Sequence, residues 1–135
     1  MTKNAIRLER TFPHPKEAVW AALTTPNLLA RWWAPGDIAP EVGHRFTMDM
    51  GGWGQQQCEV LTVDPDTSIS FAFAQGVLDT TITWTLRSTE NGTVLHFEHA
   101  GFNLDTPMGQ QALHGMGNGW PGLLARIDQV LISVS

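Results

Sequence analysis

Five histidines, one cysteine and thirteen carboxylates are the groups with which this 135-residue chain could do acid-base, nucleophilic or metal chemistry. Their spacing removes most of the options. His96 and His99 lie three residues apart in GTVLHFEHAG, a stretch that alternates apolar and polar residues as a strand does. On a strand that separation sends the two imidazoles to opposite faces, so they cannot hold one metal ion together. His14, His44 and His114 have no spaced partner, and zinc needs three or four convergent ligands, so no metal site is expected.

His99 is the sharpest of these groups, because it shares its parity with Leu95 and Phe97 and so points into an apolar interior. There it can serve as a general acid or base, or as the polar handle that orients a ligand. The plainer expectation, which we adopt, is a buried histidine satisfied by hydrogen bonds. Cys58 and Glu59 are adjacent on a strand and face opposite ways, so they do not form a nucleophile and base; the thiol reads as a small buried hydrophobe. Asp49 and Glu98 fall at solvent parity, and the glycine cluster of the C-terminal segment lacks the Lys-Ser or Lys-Thr ending of a phosphate loop.

Composition points the same way. Six tryptophans and six phenylalanines with no tyrosine supply apolar area and no phenol, which favours binding over acid-base catalysis. The formal charge of −5 repels nucleic acid and anionic lipid, so neither is an expected partner. No apolar run approaches the roughly 18 residues that cross a bilayer, and a single cysteine allows no internal disulfide, so a soluble cytoplasmic protein is expected. The length suits one domain over 1–135.

The elements that must position these groups follow from periodicity. Residues 4–12 alternate as a first strand that Pro13 ends. Two short helices follow, one with Pro15 in its first turn and one with Thr25 as N-cap and Pro26 at its first position; the second ends at Ala34-Pro35-Gly36. Of Trp32 and Trp33, about 100° apart on a helix, one belongs in the core and the other near a cavity mouth. Five strands then alternate: Phe46, Met48 and Met50; QQQCEVLTV; Ile69, Phe71 and Phe73; Ile82, Trp84 and Leu86; Leu95, Phe97 and His99. The last thirty residues recur at helical spacing through Met108, Ala112, Met116, Trp120, Leu124, Ile127, Leu131 and Val134.

That helix is expected to be interrupted near 115–119. Pro121 removes a hydrogen bond and crowds the Gly117 carbonyl at a cost of roughly 3 kcal/mol, and Gly115, Gly117 and Gly119 add roughly 1 kcal/mol each. A short helix ending near His114, a link that is either a fixed bend or a hinge, and a main helix from Gly119 are the predicted result. The hinge form would let Met108, Leu113 and Met116 act as a flap.

The segments VWAALTTPNLLARWWAP, VLTVDPDTSISF, TWTL, GTVLHFEHAGF and the GW followed by spaced leucines occur in order over nearly the whole chain. Together they resemble the activator-of-Hsp90-ATPase-homology-like proteins of the START and Bet v 1 helix-grip superfamily. The resemblance implies an α+β helix-grip fold: a strand, two short helices, five more antiparallel strands, and a long helix across the curved sheet. It implies no universal catalytic residues, because the superfamily includes lipid and polyketide binders, cyclases and co-chaperone domains.

The reading is a domain, needing no cofactor, that binds a small apolar or aromatic molecule between sheet and helix. Its expected cavity residues are Trp33, Phe46, Met48, Met50, Phe71, Phe73, Trp84, Phe97, His99, Met116 and Trp120. The alternatives are a cyclase or hydrolase using His99 on a polyketide-like substrate, and a module with a chaperone partner of the Hsp90 kind.

Overall fold

The computed structural model describes residues 5–134; Asn4, placed in the first strand by periodicity, and the side chain of Val134 lie outside the described residues. The chain runs β1 (Ala5–Phe12), α1 (Lys16–Thr24), α2 (Pro26–Trp32), β2 (Arg45–Asp49), β3 (Gln55–Asp64), β4 (Ser68–Phe73), β5 (Thr80–Thr89), β6 (Gly92–Ala100) and α3 (Pro107–Val134). The strands form one antiparallel sheet in the order β1-β6-β5-β4-β3-β2. This is the α+β helix-grip arrangement, with the long helix laid on the sheet's apolar face.

Alternation explains the sheet. Ile82, Trp84 and Leu86 of β5 are buried opposite His99, Phe97 and Leu95 of β6, while the threonines between them are half-buried on the other face. Between Val60 and Thr62 the β3–β4 register shifts, which adds local bend and twist to the sheet. Between β1 and β2 the two short helices meet at Thr25, whose extended backbone is what a residue before proline favours. Its side chain makes no capping bond; its carbonyl instead accepts from Leu29 N at 2.8 Å. Pro15 sits one residue earlier than expected, as the cap of α1 rather than in its first turn.

After α2 the chain crosses to β2 through a bridge between Gly36 and Met48. A Cβ at residue 36 would run into the Met48 side chain, so glycine is what lets the two backbones approach.

The expected interruption of the last helix is not found: α3 is one continuous helix through Gly115, Gly117, Gly119 and Pro121. Thr106 caps it, its hydroxyl accepting from Gly109 N at 3.0 Å. The local penalties amount to about 6 kcal/mol. Against them, Trp120, Leu124, Ile127, Val130 and Leu131 are all buried on the sheet, at about 1.5–3 kcal/mol for each such side chain. Packing wins. Pro121 is exposed, and the Gly117 carbonyl that loses its partner lies one turn away on that same side. The far end of α3 is fastened by Asp128, 2.7 Å from His14, and by Ser133, whose hydroxyl accepts from Arg31 at 2.6 Å.

Candidate functional site: a buried histidine relay beneath an apolar cavity

His99 lies fully buried on β6, ringed by Phe73, Phe97, Phe102 and Trp120. Its two ring nitrogens are both engaged. Trp120 Nε1 approaches Nδ1 at 3.1 Å, and Thr80 Oγ1 lies 2.8 Å from Nε2. An indole N–H can only donate, so Nδ1 is the acceptor and the imidazole proton sits on Nε2. That proton goes to Thr80, whose hydroxyl donates in turn to the Phe73 carbonyl at 3.2 Å. The relay Trp120 to His99 to Thr80 to Phe73 is therefore directional and closed. Burial disfavours the imidazolium and lowers the His99 pKa to about 3.

Above this relay the sheet and the N-terminal half of α3 diverge around a cavity of about 410 Å³, within the range that holds small-molecule ligands. Trp33, just past α2, forms one wall. Met50 and Trp53 come from the turn that follows β2, and Gln56 from the start of β3. Phe73, Ala74, Val77 and Leu78 come from β4 and the loop after it, and α3 contributes Met108, Gln111, Ala112, Gly115, Met116, Gly119, Trp120 and Leu123. No ionisable side chain is among these residues. At the rim, Trp53 is 81% exposed and Val77 and Met108 are each 55% exposed.

Of the residues expected to form the cavity, Trp33, Met50, Phe73, Met116 and Trp120 line it. Phe46, Met48, Phe71, Trp84, Phe97 and His99 do not; they are buried in the core beneath. The reason is packing density. Trp84 and Phe97 stand 4.7 Å apart by ring centroid, Phe97 and Trp120 4.5 Å, and Phe46 and Phe71 5.4 Å, which leaves no room for a guest between them. The two consecutive tryptophans divide: Trp32 is buried with its Nε1 donating to the Ala22 carbonyl at 2.8 Å, and Trp33 faces the cavity 5.0 Å from the Trp120 ring. Met50 lies one residue past the end of β2.

Gln56 is the polar cavity-lining side chain that periodicity leaves out. It shares its parity with Cys58 and Val60, which is the signal that places it inward, but its polar character masks that signal. The aliphatic lining after β4 carries no such signal, because Ala74, Val77 and Leu78 sit in a loop that has no period.

The remaining reactive groups are quiet. Cys58 is buried, and desolvation pushes its thiol up to about 11. Glu59 faces the other way, toward Arg45 at 3.8 Å. His96 is on the outer face, 4.0 Å from Glu9. Among the described residues no three His, Cys, Asp or Glu side chains gather where they could hold a metal ion, and no helix is long and apolar enough to cross a membrane.

Comparison with known proteins agrees with this architecture. MLL2253 from Mesorhizobium loti is 34% identical and superposes with a TM-score of 0.85, covering 97% of this chain and 98% of its own. BH1534 from Bacillus halodurans is 27% identical with a TM-score of 0.81, covering 94% and 96%. DynU16, a protein in the dynemicin biosynthetic locus, shares the fold at 20% identity and a TM-score of 0.83; the match covers 99% of this chain and 49% of that one. No curated protein matches the chain in sequence. Residues 13–132, from the turn after β1 almost to the end of α3, match the family described as activator of Hsp90 ATPase homolog 1-like protein, and the chain belongs to that family.

Proposed function

We propose that this chain binds one small, neutral, mostly apolar or aromatic molecule in the cavity between β2–β4 and the N-terminal half of α3. The observation that carries the reading is a volume of about 410 Å³ walled by Trp33, Phe73, Trp120, Met50 and Met116, with no ionisable side chain among the described residues that line it. Burial of a ligand against such walls is favourable at roughly 25 cal/mol per Å² of apolar surface, whereas an unpaired charge there would be penalised. The closed relay supports binding rather than acid-base chemistry at His99, because both ring nitrogens are already hydrogen-bonded within the protein.

Titration with N-phenyl-1-naphthylamine, a neutral dye that brightens in apolar surroundings, tests this. One saturable site per chain is expected, and Ala112→Trp, which fills the cavity from α3, abolishes it. Absence of saturable binding, or equal affinity in the filled variant, contradicts the proposal.

A further inference from the structure

One side chain in the cavity wall is out of keeping with the rest. Gln56 is 9% exposed, lines the cavity, and its Oε1 is a buried acceptor with no hydrogen-bond partner among the described residues. Its other terminal atom is fixed: Nε2 donates to the Trp53 carbonyl at 2.7 Å. Exchanging the two would set two acceptors at that distance, so the amide cannot be turned to hide its oxygen. The turn that presents the Trp53 carbonyl is itself held, with Gly54 N donating to the Gly51 carbonyl at 2.9 Å and Trp53 N to the Met50 carbonyl at 3.2 Å. Buried acceptors in folded proteins are almost always paired, so this oxygen, on a side chain that lines a ligand-sized space, is an acceptor that no described group of the protein serves.

From this we infer that the ligand carries a neutral hydrogen-bond donor, a hydroxyl or an N–H on an apolar, ring-like body, and that Gln56 Oε1 is the acceptor that selects it. The inference rests on the apolar-ligand reading above and adds the chemistry of one contact. A carboxylate or phosphate is the wrong class: it would set negative charge against an amide oxygen, and among the described residues no Lys, Arg or His lines the cavity to balance it. An aliphatic or aromatic hydrocarbon fits the walls and leaves Oε1 empty. A hydroxylated ring satisfies both, with its body between Trp33, Phe73 and Trp120 and its donor toward β3.

The test uses two probes of nearly the same shape, 2-naphthol and 2-methoxynaphthalene, each titrated against the intact protein and against Gln56→Met. Methionine keeps the length and apolar bulk of the side chain and removes both the donor and the acceptor. The readout is the ratio of the two dissociation constants, methoxy over hydroxy. Because each probe is its own control for cavity shape, a general loosening of the Trp53 turn moves both constants together and cancels in the ratio. The ratio is expected to fall about tenfold in Gln56→Met, the worth of one buried neutral hydrogen bond. An unchanged ratio overturns the inference while leaving the apolar site standing. If neither probe binds the unaltered protein, the apolar-ligand reading fails and this inference fails with it.

Discussion

The indole N–H of Trp120 donates to Nδ1 of His99 across 3.1 Å, so the ring that closes one wall of the cavity commits its single polar group to the core. Two consequences follow from that one bond. The cavity face of Trp120 is pure aromatic surface, and the imidazole beneath it is locked as the neutral Nε2–H tautomer.

The locked tautomer gives the protein an acid-sensitive element. The unfolded imidazole takes up a proton near pH 6.5, while the folded one does so only near 3. The stabilising contribution is therefore complete above pH 6.5 and declines as pH falls from there toward 3, with a slope approaching about 1.4 kcal/mol per pH unit. Urea denaturation from pH 7 to 4.5 is expected to show a shallower loss of stability in His99→Gln than in the unaltered protein. Parallel curves would show that the buried histidine takes its proton without cost.

Cys58 carries the opposite sign. Its folded pKa of about 11 lies above the ordinary 9.0, so its contribution is intact below pH 9 and is lost as pH rises from there through 11. At pH 8 the folded thiol holds about a hundredfold less thiolate than a free one, before burial is counted. Alkylation by iodoacetamide is expected to be slow in native protein and fast in urea. Equal rates would contradict the buried, inert assignment.

Gly115 and Gly119 oppose stability and binding to each other. Both are exposed on α3, a Cβ at either meets nothing within 4 Å, and both line the cavity. Alanine at each is expected to stabilise the protein by about 1 kcal/mol and to weaken N-phenyl-1-naphthylamine binding by narrowing the space. Thermal melts and dye titrations on the same two variants read the two effects; tighter binding would mean that the helix, not the cavity volume, limits affinity.

Pro121→Ala restores the missing N–H inside α3 and is expected to raise stability by up to about 3 kcal/mol without loss of dye binding. A decrease in stability would mean that the helix is bent to fit the sheet and needs the proline to stay so.

The fold was legible because its signals are local: alternation marked each strand, and prolines marked the two short helices. What local signals could not carry was the outcome of competition with packing. The cost of Pro121 and three glycines is written in the sequence around them, while the burial of Trp120, Leu124 and Ile127 that offsets it depends on a sheet formed by distant residues. The site shows the same limit on a smaller scale. Phe71 and Phe73 sit two residues apart at one parity, yet Phe71 is core and Phe73 is cavity wall. Parity tells inward from outward; it does not tell whether the buried or the open half of α3 lies overhead. His99 was read as buried from Leu95 and Phe97, but its partners Thr80 and Trp120 arrive only through strand pairing and helix docking.

The methionines report most directly on the central claim, that the space beside Trp120 takes an apolar guest. Met50, Met108 and Met116 line the cavity, whereas Met48 is fully buried in the core outside it. In a protein labelled with ¹³C at the methionine methyls, titration with N-phenyl-1-naphthylamine is predicted to shift Met50, Met108 and Met116 along one saturating curve while Met48 stays in place. Unmoved signals from all three lining methionines, or shifts at Met48 as large as theirs, would contradict the account.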